Sequence, residues 1–407
     1  MKQTLFPLFL ALCVWAAPPK PPADTVYKTF TKDGMTCYAY IPGFPQGNTS
    51  WNSICVTDSD MVYVGLADHM LNTGLFKYDS RKDSVLFLGD VLGNGKMWIH
   101  QYQAKIHTQI VQNRADGMIY FGTDFGNELP VRLDYEGGHW FRINPKTDIV
   151  TNLGLGVRSR GLKSLVVDPI RGRLYACTDP SSHFIIYDIA KGDARDYPTY
   201  KTAHQDLGVV NNSHEPRVLW IDKWGNVYIV NEGGVIVKYL PNSNEIIRTN
   251  QRLPGGLGTP AWALAEGPAG MISCNNGEYF YGITHYLRFF KFEPEEKGDG
   301  KITDLGNGLG DNALYNGRAG TLSLALGKNN KLYFAVGGHG SYYTSDSSAI
   351  LVEFDPATGK KEIVHKFDKR VTECTGGGCD SRGNVYFAGH RYLVKFNPAT
   401  LKKVKAL

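Results

Sequence analysis

The sequence is short of the features that mark several large classes of protein. Its seven cysteines include no Cys-x-x-Cys pair, so neither a zinc finger nor a thiol–disulfide redox site is predicted. No basic run occurs and the formal net charge is only +5, which disfavours nucleic acid as a partner. No His-Glu-x-x-His pattern is present, and no cofactor is predicted.

Long apolar runs are also missing beyond the start of the chain. Lys2 precedes the apolar run Leu5–Ala16, which is too short for a membrane span. This pattern predicts a secretory signal peptide at residues 1–16, followed by a proline-rich spacer at residues 17–24. We therefore expect a secreted or periplasmic monomer with no membrane span.

Six cysteines remain after the signal peptide, in a compartment that we expect to be oxidising. One or two disulfides are compatible with that setting, but the spacings are not those of a dense disulfide framework. For Cys177 and Cys274, which lie in strand-like segments, burial as small apolar side chains is the favoured interpretation.

A regular repeat is the strongest positive signal in the sequence. A turn followed by a β-branched and aromatic strand recurs with a central tyrosine at Tyr63, Tyr120, Tyr175, Tyr228, Tyr333 and Tyr386. These tyrosines are separated by 57, 55, 53, 105 and 53 residues. Because the long interval is about twice the others, we expect a seventh, hidden unit, and Asn275–Ile283 lies where it should be.

Each unit continues with a third apolar strand and a fourth, more polar one. Four strands at a period of roughly fifty residues are typical of a β-propeller blade. The sequence therefore predicts an all-β, seven-bladed propeller of four-stranded antiparallel blades, forming one domain over residues 25–407. The last blade is short, so we expect the N-terminal segment Val26–Tyr40 to complete it and remove an open sheet edge.

Propeller connectivity assigns most histidines to one face. The loop that leads into the first strand of a blade, here called its leading loop, shares a face with the loop between the second and third strands. Ten of the eleven histidines are predicted there, and only His365 is not. The ten are His69, His100, His107, His139, His183, His204, His214, His285, His339 and His390. Such a pool is typical of a ligand or catalytic site, although each side chain alone could simply cap a blade loop.

Three segments of the second blade resemble a known family. They are KIHTQIV at Lys105–Val111, DGMIYFGTDFG at Asp116–Gly126 and EGGHWFRINP at Glu136–Pro145. They are similar to the seven-bladed-propeller polysaccharide lyases of the ulvan-lyase type and their secreted relatives. The resemblance implies β-elimination on an anionic, uronic-acid-containing polysaccharide. That reaction needs a group that neutralises the C6 carboxylate, a base for the C5 proton and an acid for the leaving O4.

The resemblance also implies roles for individual residues. His107 matches a catalytic histidine and would act as base or neutraliser, while Arg217 matches the arginine that binds the carboxylate. Tyr200, with Tyr197 as its rival, would act as acid or base. Further substrate contacts are expected from Asp124, His139, Arg160, His183, His214 and Arg318.

The chain departs from the family pattern at Asp124, where relatives tend to have a second histidine. A carboxylate there would repel a uronate unless it is protonated or paired, and His139 or His183 could take the missing place. The alternative function is therefore a non-catalytic propeller that binds a glycan or a protein. A third hypothesis is a divalent-metal enzyme using several of His69, His285, His339 and His390, although no ligand spacing supports it.

Overall fold

Seven antiparallel sheets arranged in a ring make up the structure. The computed structural model describes residues 28–40, 44–98, 101–126, 135–192, 203–255, 259–309, 323–337 and 348–404. Each sheet has four strands, except for one that has five, and only a few short helices occur among these residues. The prediction of an all-β, seven-bladed propeller is confirmed. The predicted signal peptide and spacer lie outside the described residues.

The first four blades follow one another along the chain. Blade 1 contains β3 (Ile54–Val56), β4 (Val62–Ala67), β5 (Thr73–Asp79) and β6 (Ser84–Asp90). Blade 2 contains β7 (Val111–Gln112), β8 (Ile119–Gly122), β9 (His139–Asn144) and β10 (Ile149–Leu155). Blade 3 contains β11 (Gly161–Asp168), β12 (Arg173–Asp179), β13 (Ser182–Asp188) and β14 (His204–Asn211). Blade 4 contains β15 (Trp220–Ile221), β16 (Val227–Val230), β17 (Val235–Leu240) and β18 (Glu245–Arg252).

The remaining blades include the hidden one. Blade 5 contains β19 (Pro268–Cys274), β20 (Tyr279–Thr284), β21 (Arg288–Glu293) and β22 (Lys301–Asn307). Blade 6 contains β23 (Ala325–Leu326), β24 (Leu332–Val336), β25 (Ile350–Phe354) and β26 (Lys361–Lys366). Blade 7 combines β27 (Cys374–Cys379), β28 (Val385–Gly389) and β29 (Tyr392–Phe396) with β2 (Met35–Ala39) and β1 (Phe30–Lys32).

The two ends of the described chain meet in blade 7. Strand β2 pairs antiparallel with β29 over its full length, from Met35 opposite Phe396 to Ala39 opposite Tyr392. Strand β1 then pairs with β2 and forms the outer edge. The predicted closure by the N-terminal segment is confirmed, because without it β29 would expose an unpaired edge.

In blades 4 and 7 the recurring tyrosine is explained by a hydrogen bond within the first turn of the blade. The tyrosines of blades 1 and 6 instead donate to carboxylates outside that turn. In blade 4, the Asp222 carboxylate accepts hydrogen bonds from two backbone N–H groups of the turn and from the Tyr228 hydroxyl. Asp380 and Tyr386 repeat the arrangement in blade 7. Both tyrosines are fully buried, so the carboxylate satisfies a hydroxyl that would otherwise be costly to bury.

Blade 5 keeps the glycine of this turn but lacks the hydrogen bond. Gly277 follows Cys274 by three residues, as Gly225 follows Asp222, and both glycines have φ of +86°. Cys274 thus stands where blade 4 has an aspartate, and Phe280 stands where it has the tyrosine. As in blade 4, the glycine N–H donates to the carbonyl of the residue three positions earlier. The turn is nevertheless different, because Asn275 and Asn276 both have positive φ, whereas in blade 4 only the glycine does. The repeat is therefore hidden in the sequence, although blade 5 has four strands like its neighbours.

The hydrophobic core is divided among the spaces between neighbouring blades. One cluster, for example, joins Tyr63 and Leu75 of blade 1 to Ile119 and Phe141 of blade 2. Each blade depends on its neighbours to bury both of its faces. Among the described residues, no helix is long and apolar enough to cross a membrane.

The structure contains no disulfide among the six cysteines from Cys37 onwards, and all six are free. Cys177 and Cys274 are buried, as predicted. Burial raises the pKa of the Cys177 thiol to about 12, so this side chain stays protonated and behaves as a small apolar group.

Replacing Asp222 by alanine should test the structural role of the turn. We expect Asp222→Ala to lower the free energy of unfolding by about 2–3 kcal/mol, because the buried Tyr228 hydroxyl and two backbone N–H groups lose their acceptor. Cys274→Ala, at the corresponding position of blade 5, is the matched control and should cost at most about 1 kcal/mol. Equal losses for the two variants in urea unfolding would contradict the proposed role.

Candidate functional site

His107 and Arg217 meet at one mouth of the central channel. His107 lies in the leading loop of blade 2 and Arg217 in that of blade 4. The two side chains approach to 3.4 Å between Arg217 Nη1 and His107 Nε2. Because blades 2 and 4 are not neighbours in the ring, this contact spans the channel. The two predicted residues are thus brought together.

Glu266 holds Arg217 in place from the leading loop of blade 5. Its carboxylate accepts from Arg217 Nε at 3.1 Å and from Nη2 at 3.3 Å. His285, between the second and third strands of blade 5, places Nε2 at 3.5 Å from the same carboxylate. A guanidinium has five N–H donors, and Glu266 takes only those on its Nε side. Its Nη1–Nη2 end faces toward His107 and can still meet a second carboxylate.

Trp51, in the leading loop of blade 1, stacks on His107. The two rings are stacked, with centroids 5.6 Å apart and planes within 9°. The Arg217 guanidinium also lies 5.9 Å from the Trp51 ring centroid. Trp51 is itself positioned by donation from its Nε1–H to His69 Nε2 at 2.7 Å. The ring contacts therefore fix the plane of the imidazole.

The imidazole of His107 is held neutral. Burial lowers its pKa well below the ordinary 6.5, and the neighbouring charges of Lys163, Arg217 and Lys105 lower it further. A neutral ring that accepts from Arg217 at Nε2 carries its proton on Nδ1. Among the described residues, Nδ1 is buried and has no hydrogen-bond partner. The lone pair of the ring therefore points to the guanidinium.

Asp124 lies beneath the site and has no exposed surface. Its nearest cation is Lys163, whose Nζ is 3.9 Å from Asp124 and 2.5 Å from Asp179. Burial, and then the charge of Asp179, raise the pKa of Asp124 to about 7, against the opposing effect of Lys163 and Lys105. The carboxyl is therefore both paired and close to its protonated form near neutrality. Being buried, it can act on the channel mouth only through these neighbours.

Gly161 makes room for this buried carboxyl. A Cβ added at Gly161 would lie 1.7 Å from Asp124 Oδ1, far inside any allowed contact. The first residue of β11 must therefore be glycine for Asp124 to occupy this position.

Three other predicted substrate-binding residues have local partners. Arg160 donates from Nη1 to two backbone carbonyls of the β12–β13 loop. His183 Nδ1 lies 2.8 Å from Asp206 Oδ2, and His139 Nδ1 lies 3.1 Å from Asn152 Oδ1. None of the described contacts of Arg160, His183 or His139 joins them to His107 or Arg217. His214, by contrast, lies three residues before Arg217, and its ring packs against Trp262.

Tyr200, its rival Tyr197 and Arg318 lie outside the described residues, as do His100 and His339. Their predicted roles and positions stay predictions.

The face predicted for His204 is wrong. The segment 197–216 reads in sequence as one long leading loop, but His204–Asn211 is the fourth strand of blade 3. His204 opens that strand opposite Tyr187, near the end of β13, which places it at the face away from His107. There it accepts a hydrogen bond from Trp140 Nε1 at 2.7 Å. The side chains of this outer strand are mostly polar and do not alternate with apolar ones. The sequence therefore shows no clear strand pattern here and predicts a loop.

Sequence reasoning missed three residues of the site: Trp51, Lys163 and Glu266. Trp51 and Glu266 each lie within three residues of the first strand of their blade, as Arg217 does. That shared position would have identified both of them. Glu266 was harder to find because it precedes the blade whose repeat is hidden.

The histidines of the metal hypothesis make separate contacts. His69 is held by Trp51 and by Asn48 Oδ1, and His390 Nε2 lies 3.0 Å from Glu373 Oε2. Within the described ranges, no group of three or more His, Cys, Asp or Glu side chains is arranged to hold a metal ion.

Comparison with known proteins supports the fold alone. No family profile matches the chain, and no curated protein sequence is significantly similar to it. A fungal alcohol oxidase of the AA5 family, solved in complex with copper, matches with a TM-score of 0.56 at 13% identity over 88% of this chain and 78% of that one. At that identity the match shows the propeller architecture alone.

Two further solved structures match at similar levels. The extracellular domain of a putative hybrid two-component system from B. thetaiotaomicron has a TM-score of 0.53 at 11% identity, covering 90% of this chain and 41% of that one. A chain of the mitotic checkpoint complex has a TM-score of 0.52 at 13% identity, covering 96% and 99%. These neighbours differ widely from one another, so the site must be interpreted from its own residues.

The pH dependence of stability should reveal the buried carboxyl. The pKa of Asp124 is raised from 3.8 to about 7 in the folded protein, so its stabilising contribution is complete below about pH 4 and is lost as pH rises through about 7. Asparagine imitates the protonated form. We therefore expect the melting temperature of Asp124→Asn to rise relative to the parent across that range. Asp58→Asn, whose side chain is 59% exposed, is the control. A difference that is independent of pH would contradict the raised pKa.

Proposed function

We propose that this protein is a secreted polysaccharide lyase that cleaves a uronic-acid-containing, ulvan-like polysaccharide by β-elimination. The observation that carries the proposal is the contact of a neutral imidazole, His107, with the Arg217 guanidinium across the channel mouth. Secretion rests on the apolar segment within residues 1–16. The remaining support is chemical, and each step of the reaction has a candidate residue.

Arg217 is suited to neutralise the C6 carboxylate. Glu266 fixes the guanidinium through its Nε side, so the Nη1–Nη2 end has a defined direction before substrate arrives. A carboxylate that binds this end in a bidentate manner would lie next to His107. Withdrawal of its negative charge makes the C5 proton easier to remove, which is the electrostatic part of the catalysis.

His107 is suited to take the C5 proton. Its ring is neutral, and its Nε2 lone pair accepts from Arg217 Nη1 in the free protein. The lone pair becomes available to the C5 proton when the substrate carboxylate takes over that donor. A bound uronate adds negative charge beside the ring, which raises the pKa of His107 and strengthens it as a base during the reaction. Trp51 keeps the ring in one plane meanwhile.

The leaving O4 needs a proton donor. The resemblance assigns this role to Tyr200, and we retain that assignment as part of the proposal. Lys105 and Lys163 add positive charge close to His107, which favours the approach of an anionic polymer.

A second candidate is a propeller that binds an anionic glycan without cleaving it. The specific observation in its favour is that His107 is only 4% exposed and Arg217 is already paired with Glu266. Such a site could hold a carboxylate while keeping the base away from C5. The same contacts thus serve both candidates, and product formation separates them.

Incubation with ulvan, glucuronan, pectin and alginate tests the lyase proposal. We expect one of them to yield the ultraviolet absorbance of an unsaturated sugar. His107→Ala and Arg217→Ala should each lower that rate by at least about 100-fold, because a base or the carboxylate clamp is lost. Arg114→Ala is the matched control, since Arg114 is 65% exposed on the opposite face, and it should keep the parent rate.

The outcomes separate the two candidates. No absorbance on any of the four polysaccharides would contradict the lyase. Binding of one of them without product, lost in Arg217→Ala but not in Arg114→Ala, would instead favour the non-catalytic propeller.

A further inference from the structure

Three ring side chains form a row beside the Arg217–Glu266 ion pair. Trp262 contacts both of the others. Its ring centroid lies 6.3 Å from that of His214, with 35° between the planes, and 6.3 Å from that of Tyr286, with 70° between the planes. All three side chains are half-buried, so each keeps part of its surface exposed. They lie on the same face of the propeller as His107, in the loops of blades 4 and 5.

The aromatic row is fixed to the charged site by the backbone. Trp262 belongs to the short helix Ala261–Ala265, and its carbonyl accepts from Glu266 N–H at 2.9 Å. Arg217 N–H in turn donates to the Glu266 carbonyl at 3.0 Å. Tyr286 directly follows His285, whose Nε2 is 3.5 Å from the Glu266 carboxylate. The backbone segments that carry Trp262, Arg217 and Glu266 are therefore bonded to one another.

Aromatic rings next to fixed charges suit one class of ligand. A pyranose ring has faces lined with C–H groups, which pack on the electron-rich face of an aromatic ring. Its hydroxyl and carboxylate groups project from the ring edge and need polar partners in fixed positions. The aromatic row offers the first kind of contact, and the Arg217–Glu266 pair offers the second.

We propose that His214, Trp262 and Tyr286 form a sugar-stacking subsite for a polysaccharide, adjacent to the position of the uronate at Arg217. The inference rests on the proposed function for the presence of that uronate. It goes further in assigning the course of the bound polysaccharide, which runs from Arg217 over blade 5. Stacking on Trp262 also anchors the polymer without using any group that takes part in the elimination.

Affinity electrophoresis through gels that contain ulvan, glucuronan, pectin or alginate tests the subsite. We expect at least one polysaccharide to retard the parent, and Trp262→Ala and Tyr286→Ala to weaken its binding, Trp262→Ala by about tenfold. Trp262→Phe keeps a flat ring and should stay within about threefold of the parent. Trp98→Ala is the control, because Trp98 is the most exposed tryptophan of the described residues at 78% and lies outside the row.

Binding and cleavage are scored separately in the same variants. Loss of retardation in Trp262→Ala, with Trp262→Phe and Trp98→Ala retained, supports the subsite even where no unsaturated product forms and the lyase proposal fails. Equal retardation of the parent and Trp262→Ala overturns the subsite, whether or not product forms. Absence of retardation of the parent by all four polysaccharides overturns it as well.

Discussion

Closure of the ring is the constraint on which the rest of the molecule depends. The pairing of β2 with β29 joins the two ends of the described chain in one blade. Each blade buries its faces only against its neighbours, so an open ring would expose two apolar faces as well as a sheet edge. Closure also fixes the distance across the channel. The contact of His107 in blade 2 with Arg217 in blade 4 exists only because that distance is set.

The channel mouth gathers charges that the fold must balance. Lys105, Lys163 and Arg217 surround His107, and the carboxyl groups of Asp124, Asp179 and Glu266 lie among them. Buried charges are tolerated when they are paired, and each of these cations has a carboxyl neighbour. Asp124 also lies near two cations, but its pKa is raised to about 7. The net charge of the mouth therefore becomes more positive as this carboxyl takes up a proton.

Much of the fold could be predicted because a buried tyrosine recurs at the same place in six blades. The partner of its hydroxyl varies. The pairing of Asp222 with Tyr228 recurs in blade 7, but the tyrosines of blades 1 and 6 bind other carboxylates. In blade 5, Cys274 and Phe280 stand in place of the aspartate and the tyrosine, so only the spacing revealed that blade. The site was less predictable. His107 and Arg217 could be proposed singly through the family resemblance, but which residue faces which across a ring depends on closure, and no local pattern records that Glu266 would hold Arg217.

The two edges of the Arg217 guanidinium connect the architecture with the proposed chemistry. Glu266 occupies the Nε edge and holds the arginine side chain in one conformation before a ligand binds. The side chain therefore loses less conformational freedom on binding. Glu266 also donates its backbone N–H to the Trp262 carbonyl, so one residue contacts both the charged and the aromatic part of the site. A carboxylate group of the substrate would then meet a guanidinium already directed at it, beside an imidazole kept neutral by burial. Preorganisation of this kind suits the proposed elimination, in which the C6 carboxylate must be held in one position while the C5 proton is removed.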